Sequence, residues 1–435
     1  TSGEAYRIMA AAAAAAPADM QVRVSFFTRR HEFAIPDTPL TVPGRLRRAA
    51  LSVMVNHLLQ LDPLVTFDFL VEGEFLRSSL EAYIDAKGLF KEEILKLEVV
   101  EALPPPQPPH EHPHDDWVSA VAAIPQGACL TGCYDRIARV WNTSGELVTA
   151  LSGHDDAVAA VAWVPQTDSV DLHKCVTGSF DETLRVWAVD LGGRSAECTA
   201  VYQGHSDAVA AVAVQPTGSM FASGGADREI RLWACDPAVE DDSQKPGAGA
   251  VSSKRRRVNK GPPVEKALGT LAGSLGAVAA LAWPDRATLY SGGADQSVRT
   301  WDVETGACIH SMTASRVISA LAAAPKGGLV ASADFDGAVR LYDPRSDDGA
   351  VVKATLASHC QPCSSVAWSP VDGNLLVSGS FDDPVGDKFN NLKLWDIRSQ
   401  RIPLHNLPGH ADKVLGVAWP SAELVCAGGA DGRLR

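Results

Sequence analysis

Little in this sequence offers chemistry. It has no phosphate-binding loop, no nucleophile elbow and no zinc-protease signature, so neither an enzyme nor a bound cofactor is expected. It also lacks a basic excess: 39 Lys and Arg stand against 52 Asp and Glu, a formal charge of -13. That argues against a general nucleic-acid clamp, which relies on a basic surface to displace phosphate counterions. Protein partners are the stronger expectation, with any RNA contact confined to a local basic patch. No stretch resembles a transmembrane span. The run Ala10–Ala16, between Met9 and Pro17, is too short and too weakly apolar for one, and Arg7 makes a poor start for a signal peptide. Residues 1–20 read as a disordered, low-complexity leader. The nine cysteines follow no framework spacing and read as reduced, buried small hydrophobes of an intracellular protein.

What is present is a repeat. The 435 residues are 46% hydrophobic and 21% charged, with 36 Gly and 27 Pro, which suits short strands and many turns. From residue 114 one pattern recurs: Gly-His, a strand, small residues, an Asp turn, and a strand ending in Trp. Its second half reads Tyr134-Asp135 to Trp141, Phe180-Asp181 to Trp187 and Ala226-Asp227 to Trp233. It continues as Ala294-Asp295 to Trp301, Phe335-Asp336 to Tyr342 and Phe381-Asp382 to Trp395. A seventh unit opens at Ala430-Asp431 and reaches Arg435, where its Trp would come next. Gly153-His154, Gly204-His205 and Gly409-His410 carry the first half, with degenerate versions at His114-Asp115, Gly273-Ser274, Ala314-Ser315 and Ser358-His359. Residues 114–435 thus resemble the WD40 family, which implies a seven-bladed β-propeller.

In that family the His, a Ser or Thr, the turn Asp and the Trp form a buried hydrogen-bonded chain within each blade, which holds only if every member is satisfied. The resemblance gives those roles to His154, Thr177, Asp181 and Trp187 in the second blade. In the third it gives them to His205, Asp227 and Trp233. These residues are therefore structural and not catalytic. The fourth and fifth blades lack the His, and the fifth has Tyr342 for Trp, so both are expected to rely more on apolar packing. The seventh blade needs an outer strand. Either sequence beyond Arg435 supplies it or residues 104–113 do, although Pro104, Pro105, Pro106, Pro108 and Pro109 cannot donate ladder hydrogen bonds.

Residues 21–101 lack this pattern and precede a Pro-rich linker, 102–113. Gln21–Thr28 alternates, with Val22, Val24 and Phe26 on one face, as a half-buried strand does. A second strand is expected at Phe33–Ile35. A helix follows, with Leu51, Met54, Val55, Leu58 and Leu59 on one face. Then come a strand Thr66–Val71, a Glu72-Gly73 turn and a strand Glu74–Leu76. A short helical turn at Leu80–Ile84 leads to a last strand, Ile94–Val100. This order resembles the β-grasp of ubiquitin, so the fold class is mainly β, with a small α+β domain ahead of a propeller.

Three stretches are distinctive together: Val24-Ser25-Phe26-Phe27-Thr28, the run from Phe67 to Arg77, and Asp115-Asp116-Trp117-Val118-Ser119. They resemble the ribosome-assembly WD-repeat proteins that join Pescadillo and a BOP-type WD-repeat protein in the PeBoW complex, with an NLE-type ubiquitin-like domain at the N-terminus. That resemblance implies a non-enzymatic factor for the large (60S) ribosomal subunit, acting in maturation of 28S and 5.8S rRNA on pre-ribosomal particles in the nucleus, nucleolus and nucleoplasm. It further implies that the ubiquitin-like domain docks on the AAA ATPase midasin, a loop glutamate completing the coordination of a Mg²⁺ that midasin holds. The matching residue is Glu92, after Gly88-Leu89, with Glu93 as the alternative register.

Between the third and fourth blades, an insertion over roughly 236–265 shows no strand pattern and holds Lys254, Arg255, Arg256 and Arg257. A short basic cluster among Gly, Ser and Pro reads as a nuclear-import signal or an RNA contact. A second insertion, 383–390, is uninformative. Cys360-Gln361-Pro362-Cys363 has the spacing of a metal or redox site but no partner pair. His110-Glu111-His112-Pro113-His114 needs no function as part of a linker. A competing reading is a WD40 substrate receptor of a cullin-type ubiquitin ligase, since Trp395-Asp396-Ile397-Arg398 fits the Trp-Asp-x-Arg sequence of such receptors.

Overall fold

The computed structural model describes residues 20–29, 33, 35, 38–90, 93–103, 109–165, 172–236, 262–325, 328–345, 352–382, 391–400, 402–407 and 409–435. The chain divides at 105/106 into two compact units.

The first unit holds five strands, β1 (Gln21–Phe27), β2 (Leu40–Pro43), β3 (Phe67–Val71), β4 (Glu74–Phe75) and β5 (Leu95–Glu101), with helices Arg48–Leu59 and Leu80–Lys87. The sheet order is β2-β1-β5-β3-β4, with β1 and β5 running parallel at its centre. Val22, Val24 and Phe26 are buried as the period of two requires. The second strand lies at Leu40–Pro43 and not at the expected Phe33–Ile35, with Val42 opposite Val22 and Leu40 opposite Val24. Phe33 serves the core instead, its ring edge-on to Phe67 at 5.3 Å; a large apolar side chain can fill a core without joining a ladder. The long helix buries Leu51 and Val55, whereas Leu58 is 43% exposed. Its inner face is completed by Ser52 and Asn56. The Asn56 amide donates to the Val65 carbonyl (2.6 Å) and accepts from the Val65 N–H (2.8 Å), and Ser52 Oγ accepts from the Phe67 N–H (2.9 Å). These bonds fix the chain where it enters β3. The expected turn at Leu80–Ile84 is a helix reaching Lys87, its N-terminus capped by the Ser79 hydroxyl.

The second unit is a ring of seven blades, each with four antiparallel strands; blade two carries a fifth. The inner strands are Val118–Ala123, Val158–Val164, Val209–Val214, Val278–Ala282, Ile318–Ala323, Cys363–Trp368 and Val414–Ser421. Each packs on the next, and the last returns to the first. Second strands such as Cys129–Cys133 and Leu375–Ser380 are buried throughout, because a neighbouring blade covers each face. That close approach dictates glycine. A Cβ on Gly224 would lie 2.5 Å from Val278 Cγ1 of blade four, and one on Gly428 2.4 Å from Val118 Cγ1 of blade one.

The outer strand of blade seven is His112–Pro113, antiparallel to Arg433–Leu434. The linker expected over 102–113 therefore ends earlier, and its last two residues belong to the propeller. Pro113 has no N–H, but the His114 N–H donates to the Gly432 carbonyl at 2.8 Å. Glu111 pairs with both Arg433 and Arg435. The long insertion also sits differently. It interrupts blade three, between the third strand Ile230–Ala234 and the outer strand Gly269–Leu271. Within it Val264–Glu265 does form a strand, parallel to Ser195–Gln203 of blade two. That pairing covers an outer edge that would otherwise be open to other chains.

Candidate functional site

The residues given to the blade networks come together as buried chains. In blade two the Trp187 indole N–H donates to Thr177 Oγ1 (3.0 Å), which lies 2.8 Å from His154 Nε2, and His154 Nδ1 lies 2.8 Å from Asp181. The indole N–H can only donate and a carboxylate can only accept, so the imidazole joins a hydroxyl on one side to a carboxylate on the other. Burial works against the charged Asp181, but the His154 and Thr183 hydrogen bonds outweigh it and hold that carboxyl well below the usual range. Blade three repeats the chain through Trp233, Ser223, His205 and Asp227, at 2.8, 2.6 and 2.8 Å. Burial depresses the His205 pKa. Blade six repeats it through Trp395, Ser378, His359 and Asp382.

The blades without the His are not left to apolar packing. In blade four Asp295 pairs with Arg299 and accepts from the Leu275 N–H (3.2 Å). In blade five Arg340 bridges Asp334 and Asp336, and Ser332 Oγ donates to Asp334 at 2.6 Å. An arginine four residues after the turn Asp thus replaces the missing donor. Arg139 of blade one and Arg435 of blade seven pair with Asp135 and Asp431 at the same spacing. In blade seven His410 Nδ1 meets Asp431 at 3.1 Å, but Nε2 is buried with no partner. Ala427 stands there where the other networks have Ser or Thr. Every such chain lies within its own blade.

The loop in which Glu92 is expected to act follows the short helix. Gly88 ends that helix in a left-handed turn (φ 65°), its N–H on the Asp85 and Ile84 carbonyls, as a helix C-terminus favours. Leu89 follows with its N–H on the Ile84 carbonyl (3.1 Å), and Phe90 then stands 77% exposed. The Glu93 N–H turns back to the Phe90 carbonyl (3.2 Å). Lys91 and Glu92 lie outside the described residues. A cleft of about 490 Å³ adjoins the loop, with Phe27, Leu70, Glu72, Phe90 and Glu93 among its walls. The exposed Phe90, two residues before Glu92, was not singled out in the sequence, although an aromatic in a short polar loop is itself a signal.

Lys254, Arg255, Arg256 and Arg257 also lie outside the described residues, as do residues 1–19 and 383–390. Cys363 is buried on an inner strand, its thiol pushed up by burial, while Cys360 is exposed. The guanidinium of Arg398 folds onto Asp396 of its own turn, Nε to Oδ1 2.8 Å. Across the seam of blades seven and one, Cys129 Sγ and Cys426 Sγ lie 2.9 Å apart. Among the described residues no three His, Cys, Asp or Glu converge as metal ligands, and no helix is long and apolar enough to cross a membrane.

Two domain families match the chain. The NLE (NUC135) domain matches residues 22–84. The WD domain, G-beta repeat, matches 107–142, 145–188, 196–234, 265–302, 306–343, 350–383 and 401–435. Among curated proteins, the ribosome biogenesis protein WDR12 homolog of Nematostella vectensis is 33% identical over 421 residues, spanning 95% of this chain and 98% of that one. The homologs of Ixodes scapularis and Chlamydomonas reinhardtii are 34% and 36% identical, over 95% and 96% of this chain and 98% and 97% of theirs. With an NLE domain ahead of seven WD40 repeats and similarity along its whole length, the chain belongs to the WDR12 family of ribosome biogenesis proteins.

Proposed function

We propose that this protein is a non-enzymatic assembly factor for the large (60S) ribosomal subunit, with the propeller as scaffold and the N-terminal domain as handle. The observation that carries this reading is the end-to-end similarity to relatives named for ribosome biogenesis, NLE domain included. The propeller holds the chain to Pescadillo and a BOP-type WD-repeat protein on the pre-ribosomal particle, for maturation of 28S and 5.8S rRNA. The handle docks on midasin, and ATP hydrolysis there strips the factor from the particle. Glu92 supplies the carboxylate to a Mg²⁺ that midasin holds, in keeping with the preference of hard cations for oxygen ligands. The exposed Phe90 and the adjoining cleft offer an apolar footing beside it. Lys254–Arg257 directs the protein to the nucleus and nucleolus.

The test is a pull-down of midasin's metal-binding domain with the full chain, wild type and Glu92→Ala, in Mg²⁺ and in EDTA. The reading expects capture in Mg²⁺ only, and its loss with Glu92→Ala. Capture that survives Glu92→Ala moves the role to Glu93 or another carboxylate, and no capture by the wild type sinks the midasin reading. The ubiquitin-ligase alternative gains nothing from Arg398, whose guanidinium is engaged by Asp396.

A further inference from the structure

An aromatic row stands exposed on the rim of blades one and two. Trp117 and Tyr134 meet edge-to-face at 5.6 Å, and Tyr134 and Phe180 at 6.0 Å. They are 46%, 37% and 37% exposed, which leaves a continuous strip of ring surface open to solvent. The backbone holds them in place. The Tyr134 N–H donates to the Trp117 carbonyl and the Phe180 N–H to the Ala157 carbonyl, both at 3.0 Å. Asp116 Oδ1 accepts from the Trp117 N–H at 2.8 Å. A row fixed in this way loses little freedom on binding.

Acid surrounds it. Asp115, Asp116, Asp155, Asp156, Glu182 and Asp207 are exposed on the turns of blades one to three, against Arg136 and Arg228. Asp115 is partly offset by its pair with Arg139. Rings with negative faces inside a negative rim attract a cation that can also stack, which describes arginine better than lysine. The propeller already uses this chemistry. At the corresponding position of blade six, Phe381 carries the ammonium of Lys413 5.6 Å from its ring centroid. Blades three, four and seven have Ala226, Ala294 and Ala430 there, and blade five has Phe335, 49% exposed; among the described residues, the rings at this position that touch one another are those of blades one and two.

We propose that Trp117, Tyr134 and Phe180 with their acidic rim form a docking surface for an arginine-rich, extended segment of a protein partner. This deepens the scaffold reading and rests on it only for the existence of such a partner; it is independent of midasin. The probe is a fluorescein-labelled peptide of Arg-Gly repeats, titrated with the full chain and followed by anisotropy. Its citrulline analogue keeps shape and loses charge. Binding is expected to weaken as salt rises and to fall roughly ten-fold or more with Tyr134→Ala/Phe180→Ala. Asp155→Asn/Asp156→Asn should weaken it less, and Phe180→Tyr should retain it. Unchanged thermal midpoints show that the variants fold. Equal binding of the citrulline peptide, or of the double-alanine variant, overturns the proposal. So does preferential capture of a single-stranded oligouridine, which would make the row a base-stacking platform.

Discussion

A single hydroxyl serves two partners in blades one, two, three and six: Thr131, Thr177, Ser223 and Ser378 each accept from a Trp and face a His. Blade seven shows what happens without it. Ala427 occupies the matching register, its N–H and C=O paired with Arg435 as strand neighbours, and His410 Nε2 is left buried and alone. Restoring the hydroxyl with Ala427→Ser is expected to stabilise the propeller by about 1 kcal/mol, the usual net worth of a buried hydrogen bond. Urea unfolding of the full chain measures it. A loss of stability would mean that the strand has no room for the oxygen. The His and Asp roles were legible in the sequence because they recur against a fixed Gly and Trp. Arg299 and Arg340 were not, since an arginine after a turn looks like an ordinary solvated charge until a missing His makes its carboxylate depend on it.

At the scale of elements, apolar spacing found the long helix but misread its inner face. Leu58 fitted the pattern and points outward, whereas Asn56 broke it and is buried. A hydrophobic period cannot report a polar side chain placed inside to satisfy a neighbouring loop. Asn56→Ala would strand the N–H and C=O of Val65, which Asn56 satisfies at 2.8 and 2.6 Å. The expected loss is about 2–3 kcal/mol in the first unit, with faster hydrogen exchange at the Val65 and Phe67 amides. Exchange rates equal to the wild type would show that Ser52 alone secures the loop. The short strand at Leu40–Pro43 escaped the sequence for a related reason: four residues are too few to display alternation, and Phe33–Ile35 offered a stronger apolar signal nearby. The expectation at Glu92 rests on resemblance alone, since nothing in its composition or spacing separates it from Glu93.

On the scale of the whole molecule, the repeat announced seven blades and left two candidates for the closing strand, of which the structure uses the last two residues of 104–113. His112 and Pro113 sit in a tract that reads as linker, and a strand so short carries no pattern. Their removal is a direct test. Deleting residues 109–113 exposes the Arg433–Leu434 edge, so the variant should melt at a lower temperature and self-associate on light scattering, as open sheet edges do. A monomer with an unchanged melt would show that the closing strand is dispensable. The position of that strand has a mechanical consequence. The N-terminal unit reaches the propeller through a single covalent thread, and the first propeller residues on that thread form the clasp itself. Tension applied along the chain from the N-terminal unit, as the proposed role requires, meets the ladder of His112 and Pro113 against Leu434 and Arg433, with the Glu111 ion pairs beside it, as the first propeller strand on its path along the chain. The pairing that closes the ring is thus also the one nearest in the chain to such a load.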